Sequence, residues 1–392
     1  MNVLVWATTF GADLWSFTRY LDGRDDCRVR VVLPDARLFR REGAAQLFPL
    51  QRTPLVTRRP WHRLLGTVPG FRPDVTVMGN RVPLRAKGAG LMLWHGFGWR
   101  GPNDADTDFA WIHRALGQAF GGAREPNPRF VWQTFGPWDD EHRTEVSGMH
   151  PANTRQIGAV SHDDLRVPLD RSLAQPFYPF DVVGRRTVLL APTWHYGEVF
   201  AHWGRDADLF ERLLSHLHRR NVNVILRLHD SFRFEKPYRR FLDGLAARYP
   251  NVLLKFKDHH PDNFLDLQVA DVLVTNFSSI ANLFYATGRP TVHVYPVAHA
   301  DEAFMRREYT VLGVRKTEVE SARFMWKLPP EDNGGLLAHD FDEMMAQIDR
   351  GLDEPGCCEE TAQAFLDRHM LGADGHNAER AFAALQELAA AG

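Results

Sequence analysis

The chain has 392 residues, 44% of them hydrophobic and 24% charged, with a formal net charge of -2. That length exceeds what one hydrophobic core usually supports, and the composition excludes a disordered or fibrous chain, so two folded domains are expected. A near-neutral chain has no global field to attract nucleic acid, which is therefore not an expected partner; anions must be held by local patches.

The chain enters a strand at once, over residues 2–7, without the basic n-region or small-residue cleavage site of a signal peptide. Further strands are expected over 28–33, 74–78, 91–94 and 129–134, with helices over 10–21 and 108–120. The strands are apolar throughout rather than alternating, as strands buried on both faces of a parallel sheet should be. A stretch over 167–186, holding Pro168, Pro176, Pro179 and Gly184 without periodicity, reads as a linker between a first domain over 1–166 and a second over 187–392.

The second domain repeats the pattern. Strands are expected over 187–190, 222–228, 252–256, 271–275 and 291–295, with helices over 208–220, 238–247 and 278–287. Asp340 and Glu343 mark a capped helix with an apolar stripe of Phe341, Met344, Met345 and Ile348, and two more helices follow over 361–369 and 377–390. The fold class is α/β, two Rossmann-like doubly wound domains with C-terminal helices, the string of elements found in the GT-B architecture. The same string also fits periplasmic binders and some epimerases, so fold alone does not name a reaction.

Three cysteines, Cys27, Cys357 and Cys358, suit a reducing cytosol, and no apolar run has the roughly 18 residues a spanning helix needs. The expected location is cytoplasmic, with any membrane contact peripheral. Seven arginines from Arg37 to Arg63 could meet anionic headgroups at the inner membrane face, or could form an ordinary solvated basic face. Histidines do not cluster at metal-ligand spacing, so no metal and no cofactor are expected.

Candidate site residues sit where strands end. Ser278 and Ser279 fall at the start of a helix after a buried strand, where free amides and hydroxyls suit a diphosphate; the plainer reading is a helix cap. Thr193, with His195 two residues on, follows the 187–190 strand, though His195 alone reads as well as part of a turn. The 222–228 strand delivers Arg227 and His229 to the same rim, where a histidine can protonate a leaving phosphate or offset its charge. Asn276 and Asn282 flank the serines as further lining. In the first domain His95 ends a buried strand before Gly96 and Gly98, in the position of a general base on an acceptor hydroxyl; a turn histidine is the alternative.

In order along the chain, Trp94-His95-Gly96, Ala191-Pro192-Thr193-Trp194, Arg227-Leu228-His229, Thr275-Asn276-Phe277-Ser278-Ser279, Gly288-Arg289-Pro290 and Asp374-Gly375-His376-Asn377-Ala378-Glu379-Arg380 resemble the motifs of the CDP-glycerol glycerophosphotransferase family of teichoic-acid and capsule polymer synthesis. The resemblance implies a GT-B fold and transfer of a polyol phosphate from a CDP-polyol, or another nucleotide-diphosphate donor, to a lipid-linked or glycan acceptor with release of CMP. It also implies His95 as base, His229 at the phosphates, and Ser278 and Ser279 on the donor diphosphate in a cleft between the domains. Phe97, Gly98, His195, Asp230, Asn276 and Leu283 depart from the family pattern. Two alternatives stay open: a nucleotide-sugar glycosyltransferase or epimerase, and a catalytically silent nucleotide- or polymer-binding scaffold.

Overall fold

The structure, a computed structural model, describes the chain except His95, Arg100, Pro102, residues 194–198, 201–202, 230–235, 296–302, 311–312 and 322–326, Gly372 and Gly392, with backbone alone for 303–310 and 313–321. It divides into two units, Met1–Phe97 with Pro102–Val167 and Leu366–Gly392, and Gly98–Gly101 with Pro168–Phe365.

The first unit is built on a seven-stranded parallel sheet of β1 (Asn2–Trp6), β2 (Arg28–Leu33), β3 (Leu55–Thr57), β4 (Val75–Met78), β5 (Ala89–Met92), β6 (Phe130–Thr134) and β7 (Thr154–Gln156), in the order β3-β2-β1-β4-β5-β6-β7. Val3, Val5, Val31, Val75, Val77 and Leu91 are fully buried, which is why these strands carry no polar alternation. The three-residue edge strands β3 and β7 were not legible in the sequence. They have no apolar run because each is only partly covered.

The second unit has a six-stranded parallel sheet of β8 (Thr187–Leu190), β9 (Asn223–Leu228), β10 (Val252–Phe256), β11 (Val272–Thr275), β12 (Thr291–Val294) and β15 (Leu336–Ala338), in the order β10-β9-β8-β11-β12-β15. A separate antiparallel pair, β13 (Ala303–Thr310) and β14 (Gly313–Ser321), lies between β12 and β15 in the chain. The sheet reverses its direction of growth between β8 and β11, the switch point at which open α/β sheets bind ligands beyond their carboxyl ends.

Two expected boundaries are corrected. The expected linker is part of the second unit from Pro168 onward: Arg171 forms an ion pair with Asp271 at 2.9 Å, and Asn223 Nδ2 donates to the Asp181 carbonyl at 2.6 Å. The final helix, Asn377–Ala391, belongs to the first unit rather than the second. Ala381, Phe382, Leu385 and Leu388 bury themselves in the core formed by Val3, Val5, Val31 and Val75. Asp163 fixes the helix start, accepting from the amides of Asn377 at 3.2 Å and Ala378 at 2.7 Å. An amphipathic stripe shows that a helix must pack, but not which of two sheets it packs on.

Candidate active site

Three adjacent strands, β9, β8 and β11, bring most of the predicted residues to one edge of the second unit. Thr193 lies three residues beyond the end of β8, His229 directly after β9, and Asn276 through Ser279 directly after β11. The β8 and β11 ends are tied together. The Ala191 amide donates to the Val274 carbonyl at 2.9 Å, and Thr275 Oγ1 donates to the Ala191 carbonyl at 2.8 Å. Beyond them the Thr193 amide donates to Asn276 Oδ1 at 2.5 Å. Asn276 is buried, so its side-chain oxygen replaces a backbone partner just where the sheet runs out.

After Asn276 the backbone turns sharply. Phe277 adopts φ +57°, a left-handed conformation that costs a non-glycine residue roughly 1–2 kcal/mol. The cost is offset by packing: Phe277 is 1% exposed and its ring lies 4.5 Å from that of His293 and 5.4 Å from that of Trp99. The turn carries half-buried Ser278 and Ser279 to the start of the short helix Ile280–Tyr285. Ser279 holds the cap position without a side-chain capping hydrogen bond. Strain kept in place by a buried aromatic cluster is characteristic of segments whose direction matters for function.

His293 is the centre of that cluster. It is fully buried on β12, opposite Thr275, and burial pushes its ring pKa down to about 3. Tyr285 Oη accepts from the Gly334 amide at 3.0 Å and shares a hydrogen bond with His293 Nε2 at 2.5 Å. Burial keeps the imidazole neutral. Trp99 comes from Gly98–Gly101, which counts with the second unit, and is closed on its other side by Phe365 at 5.1 Å. The Trp94–Gly101 segment, read from sequence as belonging to the first domain, is thus divided. A buried histidine and a positive-φ phenylalanine leave no sequence signature, because Phe277 and His293 read as ordinary members of an apolar run.

Arg227 does not reach the rim. Its guanidinium, on β9, forms an ion pair with Asp266 Oδ2 at 2.9 Å and donates to the His260 carbonyl at 2.8 Å. Lys255 Nζ and Tyr178 Oη meet the other Asp266 oxygen at 2.6 and 2.7 Å. Burial alone would raise the Asp266 carboxyl, but Lys255 and Arg227 and their hydrogen bonds hold it below the ordinary carboxylate range. Arg227 is a strut that locks β9, and with it His229, to the neighbouring helix Phe264–Val269. The correction follows from position along the strand: Arg227 still lies within β9, where its side chain meets Asp266, whereas His229 follows the strand end.

Two other motifs are structural. Arg289 donates to the carbonyls of Leu267, at 2.7 Å, and Gln268, at 2.9 Å, and to that of Ala270, closing the C-terminal end of the Phe264–Val269 helix. Asp374 and Arg380 pair with each other at the start of the final helix, and Arg380 also donates to Asn377 Oδ1 at 2.8 Å. Asn282 is buried within its helix. His95 and His195 lie outside the described residues. Among the described residues no group of three His, Cys, Asp or Glu is placed to hold a metal ion.

Residues 182–302 match the CDP-Glycerol:Poly(glycerophosphate) glycerophosphotransferase family. That segment, less than half of the chain, resembles this family of transferases, as the motifs implied, and contains the β8, β9 and β11 strand ends. The fold resembles that of the wall teichoic acid polymerase TagF, with a TM-score of 0.65 at 12% identity over 99% of this chain and 89% of that one. A TagF variant soaked with CDPG gives a TM-score of 0.67 at 12% identity over the same shares. UDP-GlcNAc 2-epimerase from Neisseria meningitidis, bound to UDP-GlcNAc, gives 0.54 at 11% identity over 98% of this chain and 100% of that one. The fold is GT-B. No curated protein matches the chain in sequence.

Proposed function

We propose that the protein transfers glycerol phosphate, or a similar polyol phosphate, from a CDP-activated donor to a hydroxyl of a lipid-linked or glycan acceptor, releasing CMP, in cell-envelope polymer synthesis. The observation that carries this reading is the convergence of Thr193, His229, Ser278 and Ser279 on the carboxyl edge of β9, β8 and β11, within the segment that matches the family. The diphosphate binds over the β8 and β11 ends, its oxygens meeting the serine hydroxyls and the loop amides at the switch point. The acceptor oxygen attacks the phosphorus bonded to the polyol. The phosphoanhydride bond breaks, CMP departs, and the acceptor proton passes to a base, for which His95 is the candidate. His229 offsets the charge that develops on the leaving CMP. The reaction takes place at the inner face of the cytoplasmic membrane, where a lipid-linked acceptor is held.

The test is a donor panel of CDP-glycerol, CDP-ribitol and UDP- and GDP-sugars, scored by the nucleotide released in the presence of a lipid-linked or glycan acceptor. CMP should appear from a CDP-polyol, and His229→Ala should lower kcat by about 100-fold or more. Release of UDP or GDP alone would favour the sugar-nucleotide reading. Tight CDP binding without turnover on any donor would favour the silent scaffold.

A further inference from the structure

Cys357 and Cys358, adjacent in the chain, lie outside the site described above. They occupy the turn between the helices Phe341–Asp353 and Glu359–His369 and belong to the second unit. The Cys357 amide donates to the Glu354 carbonyl at 3.0 Å and the Glu359 amide to the Gly356 carbonyl at 3.1 Å, so the backbone is curled where the thiols stand. Side chains of neighbouring residues point to opposite faces in a strand and diverge by about 100° in a helix. In this turn they converge, with the two Sγ atoms 3.9 Å apart. Among the described residues no third ligand joins the pair to hold a metal ion.

The two thiols differ in access. Cys357 is half-buried, whereas Cys358 is 1% exposed. Burial above all pushes the Cys358 thiol up, so it keeps its proton. An oxidant arriving from solvent meets Cys357 first, and Cys358 stands behind it as a resolving thiol.

Cys358 is also tied to the aromatic cluster behind Ser278. Its carbonyl accepts from the Ala362 amide at 2.8 Å, the first bond of the following helix, and from Thr361 Oγ1 at 3.1 Å. Thr361 Oγ1 shares its proton with the Gly334 carbonyl at 3.2 Å, and the Gly334 amide donates to Tyr285 Oη. A Cβ on Gly334 would stand 3.0 Å from the Tyr285 ring and 3.1 Å from Ala362 Cα, so turn and helix pack without slack. The same helix carries Phe365, whose ring lies 5.2 Å from that of Tyr285 and 5.1 Å from that of Trp99. Cys358 further lies against the backbone of Thr291 at the start of β12, two residues before His293.

We propose that Cys357 and Cys358 are a two-thiol modification site for hydroperoxides, closing to a disulfide between adjacent residues that loosens the packing behind the turn of Phe277 to Ser279. The Cys357 thiolate attacks the hydroperoxide: an S–O bond forms, the O–O bond breaks, and an alcohol, or water when the oxidant is hydrogen peroxide, leaves with the thiol proton. The Cys358 sulfur then displaces that oxygen from Cys357. The S–S bond forms, the S–O bond breaks, and water leaves with the Cys358 proton. Two thiols lose two electrons, one hydroperoxide gains them, and a dithiol reductant reverses the change. Bringing the sulfurs from 3.9 Å to bonding distance moves Cys358 and the first turn of its helix, and with them the contacts of Thr361 and Phe365. A ring between adjacent residues removes almost no freedom from the unfolded chain, so no entropic gain offsets the lost packing. Any effect on the donor rests on the function proposed above; the oxidation and the loss of packing do not.

The full-length protein is treated with hydrogen peroxide, alkylated in denaturant and cut with trypsin, which leaves both cysteines in one peptide over 351–368. That peptide should lose two hydrogens and take up no alkyl group, and should regain both alkylation sites after dithiothreitol, while Cys27 is alkylated throughout. The oxidised protein should melt about 2–4 °C below the reduced one. Cys357→Ser, at a half-buried position, should abolish both the mass change and the melting shift, and Cys358→Ser should leave Cys357 as a sulfenic acid captured by dimedone. A rise in donor KM that dithiothreitol reverses and that Cys357→Ser lacks would carry the effect to the donor site. The mass and melting measurements need no donor, so this proposal and the proposed function fail separately. Oxidation of Cys357 to a sulfinic acid with Cys358 still alkylated, a disulfide between two chains, or a closed disulfide with unchanged melting would each overturn the proposal.

Discussion

Replacing His293 by phenylalanine should remove one specific acid sensitivity. In the folded chain the ring is buried and neutral down to about pH 3, whereas in the unfolded chain it titrates near its ordinary value of 6.5. Between those values the unfolded chain takes up a proton that the folded chain refuses. The stability tied to the neutral ring is thus complete above 6.5 and declines as pH falls toward about 3. One proton corresponds to about 1.4 kcal/mol per pH unit, so lowering the pH from about 7.5 to about 5.5 removes about 1.4 kcal/mol through this residue. At the higher pH the substitution loses the Tyr285 hydrogen bond, about 0.5–1.5 kcal/mol, but keeps an aromatic ring against Phe277 and Trp99. The assay is urea unfolding of wild type and His293→Phe at both pH values, followed by tryptophan fluorescence. Burial also lowers His62 and His113, which steepen the acid response of both proteins and cancel in the difference. The variant should lose about 1.4 kcal/mol less than wild type across the interval. Identical losses would refute a neutral, desolvated His293.

Three other substitutions probe the strand ends and the docking of the last helix. Asn276→Ala strands the Thr193 amide and should cost about 1–3 kcal/mol and raise the donor KM, while Asn276→Asp, which keeps the acceptor oxygen, should recover most of both in melting and CMP-release assays. Arg227→Ala leaves buried Asp266 with Lys255 as its remaining cation; a loss of about 3–5 kcal/mol in denaturant unfolding is expected, and a stable protein with weakened donor binding alone would return Arg227 to the rim. Asp163→Ala uncaps the Asn377–Ala391 helix, so its amides should exchange faster by a factor corresponding to about 1–2 kcal/mol, with the second unit unaffected in hydrogen exchange.

Most parallel strands of both units were legible because burial on two faces leaves an unbroken apolar run, and β2, β8 and β10 have the boundaries their residues suggest. Several other elements moved by a few residues. β5 runs over Ala89–Met92 rather than 91–94, since Ala89 and Gly90 are too small to register as strand formers. The pair β13 and β14 carries charged residues such as Arg306, Arg307, Lys316 and Glu318, and hydrophobic periodicity does not detect strands of that composition.

The motifs themselves divide by what their backbone is doing. Where a strand ends, hydrogen bonds of the sheet end with it, and the polar side chains that follow must either replace those bonds or face solvent and ligand. Asn276 replaces one, by accepting from Thr193; His229, Ser278 and Ser279 lie half-buried at the same edge, where the proposed function has them meet a donor. Arg289 and the Asp374–Arg380 pair sit instead at helix ends, where free carbonyls and amides need partners, and they supply them from inside the protein. Proximity in a motif therefore does not assign a residue to the chemistry. Arg227 and His229 are two positions apart on one strand, yet one is an internal strut and the other a rim group, because Arg227 still lies within β9 and His229 lies just past its end.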